Sequence, residues 1–119
     1  MSDLTPEKYR HDLEVFRNTA RQVISDFQLA GVEIDFSGNP ESAYRELVTQ
    51  VTPALEMLYK KQRQTFMNLL YRIDVEEHKV NRLMKSTSGS SFFEGLADLV
   101  VEREFIKVLI RKLYSPPTV

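Results

Sequence analysis

A chain of 119 residues fits one domain, spanning 1–119, and is long enough to bury an ordinary apolar core without staples. Sixteen basic and seventeen acidic residues nearly cancel, which argues against a strongly cationic nucleic-acid or membrane-surface protein. The chain has no cysteine, no signal-peptide core in its opening MSDLTPEKYR and no apolar run of about eighteen residues, so disulfides, thiolate metal sites and membrane spans are excluded and a cytoplasmic protein is expected.

Residues 1–4 read as a flexible tail. Thr5-Pro6-Glu7 has the features of a helix start: a hydroxyl cap, proline at the first helical position and an acid in the first turn. From there Tyr9, Leu13, Phe16, Ala20, Val23, Phe27 and Ala30 recur in steps of four and three, an apolar seam that predicts a helix over 6–30. Gly31 is a natural left-handed stop. Val32-Glu33-Ile34-Asp35-Phe36 alternates apolar and acidic residues. It is too short for a confident strand and is expected to be an extended connection covering one end of the helices, with an edge strand as the alternative. Asn39 and Pro40 supply the cap and first position of the next helix.

Tyr44, Leu47, Val48, Val51, Leu55, Leu58, Phe66, Leu69 and Ile73 keep one helical phase, with Gln62 in the seam between Leu58 and Phe66. Pro53 interrupts that phase by removing a backbone donor and crowding the preceding turn. The expectation is a short arm over 41–52 and a main helix over 53–84, bent or broken at the proline. Asp74-Val75-Glu76-Glu77 resembles a second cap, so helix is expected on both sides of Asp74 with the junction open. Ser86 to Ser90 is a polar loop, and Ser91 with Glu94 forms an S-x-x-E capping box that opens the last helix, 92–114. Residues 115–119 read as a second flexible tail.

The last helix carries two apolar stripes. One runs Phe92, Leu96, Leu99, Ile106, Ile110, Leu113; the other runs Ala97, Val101, Phe105, Val108 beside Val100 and Leu109. A helix apolar over most of its girth is surrounded, either by its own chain or by a partner. The fold class is therefore all-α: an antiparallel bundle of three long helices with a shorter proline-linked helical arm, organised around 92–114. Arg103 interrupts the first stripe and is the main polar anomaly.

No catalytic residue, metal or cofactor is expected. His78 has Val75, not Glu, three positions before it, and His11 has Lys8, so the Glu-x-x-His pattern of di-metal bundles is missing. Glycines at 31, 38, 89 and 95 match no phosphate-binding fingerprint. Tyr71, Arg72, Asp74 and Glu77, with Arg103, form a candidate polar cluster, read first as an inter-helix tie. Arg103, Lys107 and Arg111 recur every four residues and are read as a solvated face balanced by Glu102 and Glu104.

The favoured function is a non-enzymatic protein–protein interaction module or subunit. Its candidate interface is the excess apolar surface at Val101, Phe105 and Val108, facing another protein or a second copy. One alternative is a nucleic-acid or phosphate binder using Lys60, Lys61, Arg63, Arg103, Lys107 and Arg111. The other is a small enzyme around Tyr71, Arg72, Asp74, His78 and Arg103.

Overall fold

The computed structural model describes residues 12–114, and these are all-α. Five helices follow in order: α1 (Leu13–Leu29), α2 (Ala43–Lys61), α3 (Arg63–Ile73), α4 (Glu77–Ser86) and α5 (Ser90–Tyr114). A 3-10 turn, Pro40–Ser42, leads into α2. The expected tails, the Thr5-Pro6 helix start, Tyr9 and His11 lie outside the described residues.

Asp12 is not helical. Its backbone is extended and its side chain accepts from the Val15 amide at 3.1 Å, so it caps α1. The uninterrupted helix expected over 6–30 is thereby corrected: α1 has its own start, at Leu13. Its carboxylate also meets Lys112 Nζ from the last turn of α5 at 2.7 Å, which holds the Asp12 carboxyl below its ordinary range. At the other end Gly31 (φ 82°) provides the left-handed step. Its amide donates to Gln28 and the Val32 amide donates to Phe27 at 2.8 Å, closing the Schellman pattern that the Ala30-Gly31 pair announced.

Residues 32–36 are the expected extended connection. Ile34 is buried, while Val32 and Phe36 are half-buried against the core. No strand pairs with them among the described residues; the Gln50 side chain does so instead. Its Oε1 accepts from the Asp35 amide at 2.8 Å and its Nε2 donates to the Asp35 carbonyl at 2.6 Å. Glu46 receives both the amide and the hydroxyl of Ser37. Two α2 side chains thus supply the backbone partners that a strand would otherwise need. Asn39 caps the 3-10 turn, with Pro40 at its first position, as the sequence indicated.

The helix boundaries of the middle segment differ from expectation. α2 runs straight through Pro53, and the breaks fall at Gln62 and Asp74. Pro53 and Thr49, whose carbonyl loses its amide donor, both face solvent, where water can reach that oxygen. On the opposite side Leu47, Val51, Ala54, Leu55 and Leu58 are buried and keep the helix in one piece. Gln62, a polar residue at a seam position, adopts φ −142° and ψ 65° and ends α2 while starting α3. The main helix expected over 53–84 is consequently three separate helices.

α5 is the centre, packed by α1, α2, α3 and α4. Leu96 of the first stripe is fully buried, but over the C-terminal half it is the second stripe that points inward. Val101, Phe105 and Val108 are 0, 1 and 5 % exposed, whereas Ile110 and Leu113 of the first stripe are 38 and 40 % exposed. Phe16 of α1 meets Phe105 with ring centroids 5.1 Å apart. The candidate interface at Val101, Phe105 and Val108 is thus corrected: a single chain already covers these residues. α5 begins at Ser90, so Ser91 is inside its first turn and not its cap.

Candidate functional site: an apolar groove between α3 and α4

The expected polar cluster separates into two structural ties. Arg72 leaves α3 for α1, where a terminal nitrogen donates to the Asp26 carbonyl at 3.1 Å and Nε lies 3.6 Å from Asp26 Oδ1. Arg103 holds Asp74: Nε donates to the carbonyl at 3.0 Å and a terminal nitrogen to Oδ2 at 3.2 Å. Asp74 has φ 67°, the one non-glycine residue in the left-handed region among those described. That conformation costs roughly 1–2 kcal/mol for an L-residue, and the Arg103 clamp offsets it. Arg103 is therefore at the edge of the core, 30 % exposed, and locks the turn between α3 and α4. Tyr71 (89 % exposed) and Glu77 take no part in either tie. His78 is exposed, with Nε2 3.1 Å from Glu76 Oε2.

Several basic residues are engaged within the chain. Lys107 pairs with Glu104, Arg111 donates to Gln22, Lys112 to Asp12, and Lys60 to Glu56. Each of these cations is committed within its own chain.

Sequence reasoning missed a buried acid pair. Glu104 is fully buried and Asp26 is 4 % exposed beside it. Lys107 Nζ lies 2.9 Å from Glu104 Oε1, close in charge and distance but without hydrogen-bond geometry. Burial first, and then the Asp26 carboxyl, pushes the Glu104 carboxyl up to about 8 against the pull of Lys107. Near neutrality Glu104 thus carries a proton and can act as a hydrogen-bond donor toward the Asp26 carboxyl, which itself receives a 3.3 Å bond from Gln22. The available signal was phase: Glu104 is four residues from both Val100 and Val108, on the buried stripe. Among the described residues no group of three or more His, Asp or Glu is arranged to hold a metal ion.

A wide concavity lies elsewhere. Between α3 and α4 lies a groove of about 850 Å³, floored by Phe92 and Phe93 at the start of α5. Its α3 wall is Arg63, Phe66, Met67, Leu70 and Tyr71; its α4 wall is Glu77, Val80, Asn81 and Met84. Each set recurs at three- and four-residue spacing, so each is one helix face. Tyr59 seals the inner end, edge-on to both Phe66 and Phe93 with centroids 5.3 and 5.6 Å away. The groove exists because the chain breaks at Gln62 and turns back at Asp74, which splays two short helices over the end of α5. Met67 and Met84 remain 53 and 59 % exposed, and α4 has no buried residue. Methionine is suited to such a wall, since its unbranched thioether adapts to varied shapes.

Comparison of the chain with family models, with curated proteins and with solved structures finds no match. The geometry of the chain's own residues is what bears on function.

Proposed function

We propose that the protein is a non-enzymatic interaction module that docks another polypeptide in the α3–α4 groove. One observation supports this reading above the others: the groove is a concave, largely apolar surface whose rim residues Met67, Tyr71 and Met84 are left in water by the fold. Contiguous exposed apolar surface of this kind is characteristic of interaction sites, whereas single exposed apolar residues are ordinary. The groove walls are helices, and the groove is about three helical turns long, a shape that takes an apolar helix face.

The test is site-specific photocrosslinking in cells, with the probe replacing Tyr71 on the groove lip. Protein adducts are expected at Tyr71, to be lost on adding Met67→Asp inside the groove and kept on adding Leu29→Asp. Leu29 is 70 % exposed and outside the groove, so it controls for loss of apolar surface as such. Adducts insensitive to Met67→Asp would overturn the reading.

A further inference from the structure

Resting on the docking reading, we propose that the groove's occupant is a second copy of this chain, bound face to face about a two-fold axis across the groove.

Charge is the first argument. Two ionic residues line the groove, and they are of opposite sign: Arg63 and Glu77. Arg63 opens α3 and Glu77 opens α4, with all of α3 and the Asp74 turn between them. They are thus separated by about 16 Å, the length of an eleven-residue helix. Arg63 stacks its guanidinium 3.7 Å over the Tyr59 ring and donates through Nε to the Tyr59 carbonyl at 2.8 Å. This fixes the arginine while leaving its two terminal nitrogens for another group. Among the described residues neither Arg63 nor Glu77 has an ion-pair partner.

A two-fold axis through the middle of the groove matches this arrangement to itself. In an isologous contact, if residue i of one copy meets residue j of its partner, then j meets i. Arg63 of each copy would face Glu77 of the other, forming two equivalent pairs from two groups that the monomer leaves unpaired. A foreign helix would have to supply an acid and a base at that separation; a second copy has them already.

Burial is the second argument. α4 is amphipathic yet buries nothing completely: Val80 and Leu83 are half-covered by α5, and Met84 is exposed. Face-to-face association gives each α4 a second neighbour. It also removes from water Met67, Tyr71 and Met84, the exposed apolar side chains of the groove rim.

The experiment is sedimentation equilibrium of the full chain as wild type, Arg63→Glu, Glu77→Arg and an equimolar mixture of the two variants. Both positions are exposed, and circular dichroism checks that each variant is folded. Wild type is expected to be dimeric. Each reversal alone sets like charges against each other twice, raising the dissociation constant at least about tenfold. The mixture is expected to restore association, because a chain with Glu at both positions then meets one with Arg at both. That rescue requires reciprocal contact and would not arise from a structural role of either residue. A monomeric wild type, or a mixture that fails to associate, overturns the second-copy assignment. A monomeric wild type that still gives Met67-sensitive adducts would do so while leaving the docking reading intact.

Discussion

The two ends of α5 are equally apolar and are finished differently. At the C-terminal half, α1 lies against the helix, and Phe105, Val108 and Leu109 are closed off with Val15 and Phe16. At the N-terminal half the neighbours include the short helices α3 and α4, and Phe92 and Phe93 form the floor of an open groove. Both bury one side within the chain, Phe105, Val108 and Leu109 in the first and Leu96, Ala97 and Val100 in the second, but the second also borders an open apolar groove. Apolar density in a sequence therefore marks where something must pack, not whether the chain supplies it.

The largest expected effect compares the closed end with the open one. Phe105→Ala removes a ring that is 1 % exposed and touches Phe16, and should cost about 3–5 kcal/mol in urea unfolding. Met67→Ala, at a residue 53 % exposed, should change monomer stability by less than about 0.5 kcal/mol. Equal losses at the two sites would mean that the groove is part of the core.

The next effect belongs to the closed end alone. The Glu104 carboxyl is raised from 4.5 to about 8, so the folded state binds a proton that the unfolded state has released over that interval. Stability from this group is present below about pH 4.5, falls as pH rises toward 8 and is lost above it. The loss is on the order of 3–5 kcal/mol from end to end. Glu104→Gln keeps the shape and a donor for Asp26 but cannot ionise. Its unfolding free energy should be flatter than wild type between pH 5 and 8 and should exceed wild type at pH 9. A parallel pH dependence in the two proteins would assign the alkaline loss to another group.

The smallest effect tests the attachment of the open end. Arg103→Ala removes both bonds to Asp74 and should cost about 1–2 kcal/mol. Amide exchange should accelerate in 74–86 while Val100 to Leu109 remain protected. Uniform acceleration across α5 would mean that the arginine supports the core and not the turn.

Much of this plan is legible in the sequence because local chemistry decides it. The Ala30-Gly31 stop, the Asn39-Pro40 start and the central position of α5 follow from turn residues and periodicity. A link between Asp74 and Arg103 is among the ties that the polar cluster suggests, whereas the turn at Asp74 stays open in the sequence, because Val80 and Leu83 continue the earlier helical phase. Three features were not legible, for one shared reason: each depends on which way a helix is rotated. Pro53 does not break α2, because it falls on the solvent side. Gln62 does break it, although its helical phase continues unchanged into α3. On α5 two stripes competed to face inward, and over the C-terminal half the second won. Arg103, read as an intruder on the inner stripe, is thus peripheral, while Glu104, read as part of a solvated face, is the buried acid. Periodicity gives the angle between residues on a helix but not the zero of that angle, which only packing sets. The groove was invisible for a related reason, since it is made by the two breaks and not by any motif.

α4 is held at its ends and by one side: the Asp74 turn gripped by Arg103, Leu83 laid over Gly95, and the loop before Ser90. None of its ten residues is buried. Apart from Val80 and Leu83, which pack against the core, its sequence is consequently only loosely coupled to the stability of the rest. Substitutions at Val80, Asn81 or Met84 can change what the wall accepts while leaving the closed end of α5 as it is. Such a wall can vary in sequence without the rest of the protein having to relearn how to fold.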